Sequence, residues 1–338
     1  MTTINVAFED GLLAVRDQGR TFQVPAEMES RQPRCLATDP ARPQRVWCGT
    51  DAGVWCSDDG GASWRQAGEA LSGSMVSAIA VAPDERAVYA GTDPSAMWRS
   101  ENAGAAWERL RTFDELPSAP TWSFPPRPET SHVRWIALDP RASERLYVCV
   151  EAGALVRSID GGDTWTDRVP DGPFDTHTLA LHPAAPDRLY SAAGDGLMNP
   201  GRGYNESTDG GDTWHHPDEG IQRHYLYGLA VDAGDPDTVV VSAVESPAHA
   251  HNPQMADSTV YRRARSGPWQ EVRDGLPEPQ GTLRMLFAAD PAQPGCFYAA
   301  SNRGVFRSLD GGGTWEPLVA PLPDRFRAQG AYAIVASA

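Results

Sequence analysis

The sequence contains no lysine; all 29 of its basic residues are arginine. Schiff-base chemistry through a lysine amine is therefore excluded, as is a phosphate loop built on its usual lysine, and no nucleotide cofactor is expected. No apolar run approaches the ~20 residues of a membrane-spanning helix, and Met1-Thr2-Thr3-Ile4-Asn5 is not a charged segment leading into an apolar one, so the chain reads as cytoplasmic with no membrane partner. Cysteine is scarce and odd in number: Cys35, Cys48, Cys56, Cys149 and Cys296 stand scattered among apolar neighbours. That pattern predicts buried, reduced thiols rather than a disulfide framework. Positive charge is short overall, 29 basic residues against 45 acidic ones, and the resulting formal net charge of -16 repels phosphate backbones and makes nucleic acid an unfit partner.

What the chain has instead is repetition. Ser57-Asp58-Asp59-Gly60-Gly61-Ala62-Ser63-Trp64 returns as Ser158 to Trp165, Ser207 to Trp214 and Ser308 to Trp315. A decayed copy from Ser100 to Trp107 keeps Asn102 and Gly104, one near the N-terminus keeps Asp17, Gly19, Thr21 and Phe22, and the most eroded ends at Trp269. The aromatic ends stand 42, 43, 58, 49, 55 and 46 residues apart, and joining the chain ends gives 45. Seven units of ~40–50 residues, each with short apolar runs between turns, predict an all-β fold: a seven-bladed β-propeller of four-stranded antiparallel blades. The tail Ala331-Tyr332-Ala333-Ile334-Val335 looks like a first strand without partners, while residues 3–25 supply strands without a first one, so N- and C-terminal strands are expected to share one blade. The single domain 1–338 then divides into blades at 330–338 plus 3–25, 34–68, 76–110, 132–169, 177–216, 224–272 and 283–318.

The octet needs no catalytic explanation. Glycine admits positive φ in a tight turn, Asp and Ser/Thr oxygens satisfy backbone N–H groups, and Trp fills space beside the sheet. Ser-x-Asp-x-Gly-x-Thr-Trp resembles the Asp-box, or bacterial neuraminidase repeat, and the resemblance extends over nearly the whole chain. It implies a sialidase-like propeller and leaves function open, since that superfamily holds sialidases, xyloglucan-active endoglucanases, sortilin-type receptors and photosystem II assembly factors. The Arg-Ile-Pro motif of sialidases is absent, and seven copies stand against their six blades.

Positions in the repeat point to one rim. The longest departures are residues 111–132, before an innermost strand, and 194–206 and 245–258, between second and third strands; both kinds of loop open on the face opposite the octets. His132, His177 and His224 precede three successive innermost strands, and His249 and His251 lie in the last insertion. These five can supply neutral imidazoles to a divalent Zn, Mn or Fe ion. Without metal, His132, His177 or His224 can act as a general base, with Tyr225 as a proton donor. His182, His215 and His216 read as structural.

Arg34, Arg134, Tyr227 and Arg284 at strand entries, and Arg202, Tyr204 and Arg303 in loops, are candidate contacts for an anionic or sugar-like small molecule at the channel mouth. Trp122, in the proline-rich segment 117–128, can wall the pocket or tuck that loop against the propeller. Asp51, Asp93, Glu151, Asp195 and Glu245 recur where second strands end, which suits a turn role. A glycosidase would need two carboxylates across a cleft; Asp114, Glu115, Glu129 and Asp175 are available, and no spacing selects a pair. The reading is a hydrolase or lyase, metal-assisted or not, with two alternatives: a scaffold that binds a protein partner, and a glycoside hydrolase related to Asp-box glycosidases.

Overall fold

Alternating runs of β-branched, aromatic and small residues, such as Val46–Thr50 and Val239–Val244, form the strands of the propeller. A computed structural model describes residues 2–16, 21–265 and 267–337. Among them 26 strands make seven antiparallel sheets, the blades of the predicted propeller. Blade 1 joins the two chain ends. Its innermost strand, Ala333–Ser337, pairs antiparallel with Thr3–Phe8 in the register Ala7 to Ala333 and Thr3 to Ser337, and Gly11–Arg16 and Thr21–Gln23 follow outward. Blades 2 to 7 start from the innermost strands Pro33–Thr38, Met75–Val81, Val133–Asp139, Thr176–His182, Tyr225–Val231 and Leu286–Ala289. In blades 4 and 5 the fourth strand shrinks to a single bridge, Arg157 with Thr166 and Glu206 with His215.

The octets form one turn repeated. In the first, Ser57 Oγ donates to Asp59 Oδ1 at 2.7 Å and accepts the Gly61 N–H at 2.8 Å, while Asp59 accepts both the N–H and the hydroxyl of Ser63. Gly60 and Gly61 sit at φ 75° and 94°, a region that penalises any side chain. The eroded copy keeps the design with Asn102 as acceptor for Ala106 N–H; Asp17 and Gly19 of the N-terminal copy lie outside the described residues. The octet also latches blades together, because the Gly210 carbonyl accepts Arg157 at 2.8 Å and the Tyr147 hydroxyl at 3.3 Å from the preceding blade. Trp64, Trp107, Trp214, Trp269 and Trp315 are buried in the apolar layers between blades. The five cysteines are buried, and none forms a disulfide among the described residues.

Each innermost strand packs against the next around the ring, and together they enclose a channel cavity of about 320 Å³. Leu36, Ile79, Ile136, Leu179, Leu229, Leu286 and Ile334, one from each blade, line it. Among the described residues no helix is long and apolar enough to cross a membrane.

Candidate functional site

The channel mouth is built by a shared irregularity. In five blades the ladder register slips near the start of the innermost strand: between Pro33 and Cys35, Val76 and Ala78, Val133 and Trp135, Thr176 and Thr178, and Leu226 and Leu229. A bulge re-aims the extra side chain. The residues two positions before the channel-lining aliphatics are Arg34, Ser77, Arg134, His177, Tyr227, Arg284 and Tyr332, again one per blade. They form a collar. The Arg34 guanidinium lies 5.0 Å from the Tyr332 ring centre, Arg284 lies 5.3 Å from Tyr332 and 5.0 Å from Tyr227, and Arg134 lies 5.4 Å from Tyr227. His177 stacks on Tyr227 at 4.4 Å and 20°. Cations over aromatic faces are attractive and hold the collar in register.

Carboxylates from the ends of second strands reach in from outside. Asp51 takes Arg34 in a two-pronged pair at 2.5 and 2.8 Å. Glu151 Oε2 accepts from His132 Nε2 at 2.8 Å and lies 3.6 Å from Arg134 Nε. Its other oxygen faces His177 Nε2 at 3.9 Å, and Asp175 Oδ2 stands 3.7 Å from the same nitrogen. The Nδ1 of fully buried His177 must carry a hydrogen, because its partner at 2.7 Å is the Leu226 carbonyl. Nε2 lies 3.2 Å from the Tyr225 hydroxyl.

The two acids lie in opposite environments. Burial disfavours the charge on Glu151, but the His132 hydrogen bond and the fields of His177, His132 and Arg134 outweigh it and hold the carboxyl well below the usual carboxylate range. Burial raises the proton affinity of Asp175, and the Glu151 charge raises it further against the pull of His177, the Ala152 N–H and Arg134. Asp195, whose Oδ2 accepts the Phe174 N–H at 2.9 Å, is pushed up to about 6 by burial, with the Asp175 charge adding to the rise. Both members of the pair keep a solvent-facing edge, with side chains 14% exposed for Glu151 and 21% for Asp175.

Of the candidates read from the sequence, the structure gathers His132, His177, Tyr225, Tyr227, Arg34, Arg134, Arg284 and His251 around this mouth. It does not bring the five histidines together as ligands. His224 stands apart, accepting the Gly201 N–H at 3.3 Å, and His249 Nδ1 bonds Ser246. His251 Nδ1 accepts from Arg284 at 2.9 Å, and burial and that guanidinium push it down to about 3, so it is neutral. Among the described residues only Glu151, Asp175 and His177 place three potential donor atoms within 4.8 Å of one another, and the His177 nitrogen already holds the Tyr225 hydroxyl. Tyr204 belongs to the core instead: it is fully buried beside Trp269, its hydroxyl given to Glu206, because its strand faces the neighbouring blade. Trp122 tucks its loop down, 5.1 Å from Phe113 with its N–H on Ser118. Arg202 pairs loosely with Asp171 at 3.7 Å, and Arg303 holds the Gln280 carbonyl at 3.0 Å. Along the chain Glu151, Asp195 and Asp51 look like turn acids and Asp175 like an acid without a partner, so their place at the mouth is new. The signal for the collar itself is the residue two places before each aligned aliphatic.

No family model matches the chain. It is 30% identical over 306 residues to a xyloglucanase of Paenibacillus sp, a match covering 76% of this chain and 28% of that protein. It is 25% identical over 285 residues to xyloglucanase Xgh74A of Acetivibrio thermocellus, covering 70% and 32% respectively. The chain thus spans about a third or less of the length of these curated relatives. Among solved structures it resembles the GH74 enzyme of Niastella koreensis with a TM-score of 0.70 at 18% identity, over 94% of this chain and 52% of that one; at such identity the likeness speaks to the fold.

Proposed function

We propose that this chain is a glycoside hydrolase whose acid pair is Asp175 and Glu151, acting on a saccharide seated at the channel mouth. One observation carries the reading: two neighbouring, partly exposed carboxyl groups are pushed in opposite directions, Asp175 toward holding its proton and Glu151 toward losing it. That division of labour is what glycoside cleavage requires. The similarity to xyloglucanases supports a sugar as substrate. So does the Phe174 ring, 41% exposed beside Asp175 with Leu197 and Met198 also exposed nearby, which offers an apolar ledge to a sugar face.

Asp175 gives its proton to the glycosidic oxygen as the bond to the anomeric carbon breaks. The nearest oxygens of the two carboxyls lie within 4.8 Å of one another, and we take the pair to work at the shorter carboxyl spacing, ~5–5.5 Å, rather than the ~6.5–9.5 Å that accommodates a water. Glu151 therefore attacks the anomeric carbon to form a glycosyl ester. Asp175, now ionised, takes a proton from water, whose oxygen displaces Glu151 and restores both groups. His132 orients Glu151 by holding Oε2, which leaves the other oxygen free.

The test is a screen of aryl glycosides and plant-wall oligosaccharides with wild type, Asp175→Asn and Glu151→Gln. Each variant is expected to lose at least about a thousandfold in kcat with its melting profile intact, and proton NMR of the first product is expected to show retained anomeric configuration. Hydrolysis that survives in both variants would sink the assignment.

A further inference from the structure

Counting charges at the collar leaves one unanswered. Arg34 is matched by Asp51, and Arg134 leans on Glu151. Arg284 is only 3% exposed and has no carboxylate partner among the described residues. Its Nη1 donates to two neutral acceptors, His251 Nδ1 at 2.9 Å and the Ala250 carbonyl at 3.5 Å, and its Nε has no partner at all. Neutral His251 cannot compensate it, since the ring nitrogen facing the guanidinium must be an acceptor. A buried cation with an idle donor is costly unless an anion completes it. The guanidinium is held in place between the faces of Tyr227 and Tyr332, with the Gly330 backbone packed so close that a Cβ there would stand 2.7 Å from Nη1. Below, the channel is lined by aliphatic side chains, so an anion is held at the collar rather than drawn through.

We propose that the collar is a carboxylate subsite anchored by Arg284, and that the saccharide taken at this mouth is an acidic one bearing a uronic acid. Tyr227 touches both Arg284 and His177, which puts the anion one aromatic ring away from the acid pair. A guanidinium fork matches a planar carboxylate in geometry as well as charge. Because the chain carries a formal net charge of -16, long-range attraction does not explain capture of an anion, and the selectivity must be local. The inference rests on the reading that a sugar binds here, and it adds the class of sugar.

The experiment is calorimetric titration of the full chain with D-glucuronate, its neutral amide D-glucuronamide, and D-glucose, in wild type, Arg284→Met and Arg284→Gln. Wild type is expected to bind glucuronate at least about tenfold more tightly than the amide or glucose, and either folded variant to lose that preference. Equal binding of glucuronate and its amide by wild type overturns the proposal without any variant, as does a preference that persists in a folded Arg284 variant. The two readings fail separately. Glucuronate selectivity in a protein that cleaves no glycoside removes the hydrolase and keeps the subsite, whereas cleavage of neutral glycans with glucuronate ignored does the reverse.

Discussion

Replacing Asp195 by Asn should stabilise the protein at neutral and alkaline pH and leave it unchanged in acid. The carboxyl sits in the short helix Gly194–Leu197 and accepts the Phe174 N–H at 2.9 Å, a bond that an Asn carbonyl can also accept. Burial, chiefly, raises its proton affinity from 3.8 to about 6. Between those values the folded chain holds the proton more tightly than the unfolded one, so stability falls as pH rises through the window, and the full penalty stands above about 6. At about 1.4 kcal/mol per pH unit the interval corresponds to about 3 kcal/mol for a fully buried group. Asp195 is only partly buried, and screening reduces this to about 1–2 kcal/mol, or about 2 °C in a chain of this size. Calorimetric melting of both proteins at intervals from pH 4 to pH 8 reads the effect directly. The variant should melt higher at pH 8 and converge with wild type near pH 4. Parallel curves across that range, or a less stable variant at pH 8, would refute the placement of a destabilising charge here. The same substitution removes a negative neighbour of Asp175, so the alkaline limb of any hydrolytic pH profile should move to lower pH.

Gly194→Ala places a Cβ 2.1 Å from Asp175 Oδ2, so it should displace the proposed acid and cut kcat at least about tenfold, with circular dichroism showing the blades intact. Ser158→Ala removes the hydroxyl that accepts Gly162 N–H at 2.8 Å and donates to Asp160 at 2.7 Å; urea unfolding should show a loss of about 1–2 kcal/mol, with activity unaffected in the folded fraction. Exhaustively dialysed protein should carry no stoichiometric zinc, manganese or iron. Near-equimolar metal that disappears in Glu151→Gln would replace the acid–base reading by a metal-assisted one.

The propeller is legible in the chain because a blade is a local unit. The octet from Ser57 to Trp64 satisfies its own turn through Ser57, Asp59 and Ser63, so the same residues must recur wherever that turn recurs. The rim is legible for a related reason: loop position follows from strand order, and His132, His177 and the arginines of the strand entries fall where that order places them. Tyr204 shows where such reasoning stops, since a residue in an insertion on the right rim is turned by its strand into the core. The acid pair lies beyond it too. Glu151 ends the second strand of blade 4 and Asp175 precedes the first strand of blade 5, two repeat positions that never align with one another. What makes them a pair is the closure of the ring, which sets adjacent blades side by side: at Glu151 the His132 hydrogen bond and the fields of His177 and Arg134 outweigh burial, while at Asp175 burial and the Glu151 charge outweigh the same fields. Sequence determined which side chains reach the mouth; only the tertiary structure decided which of them share a low-dielectric neighbourhood, and proton affinity is set there.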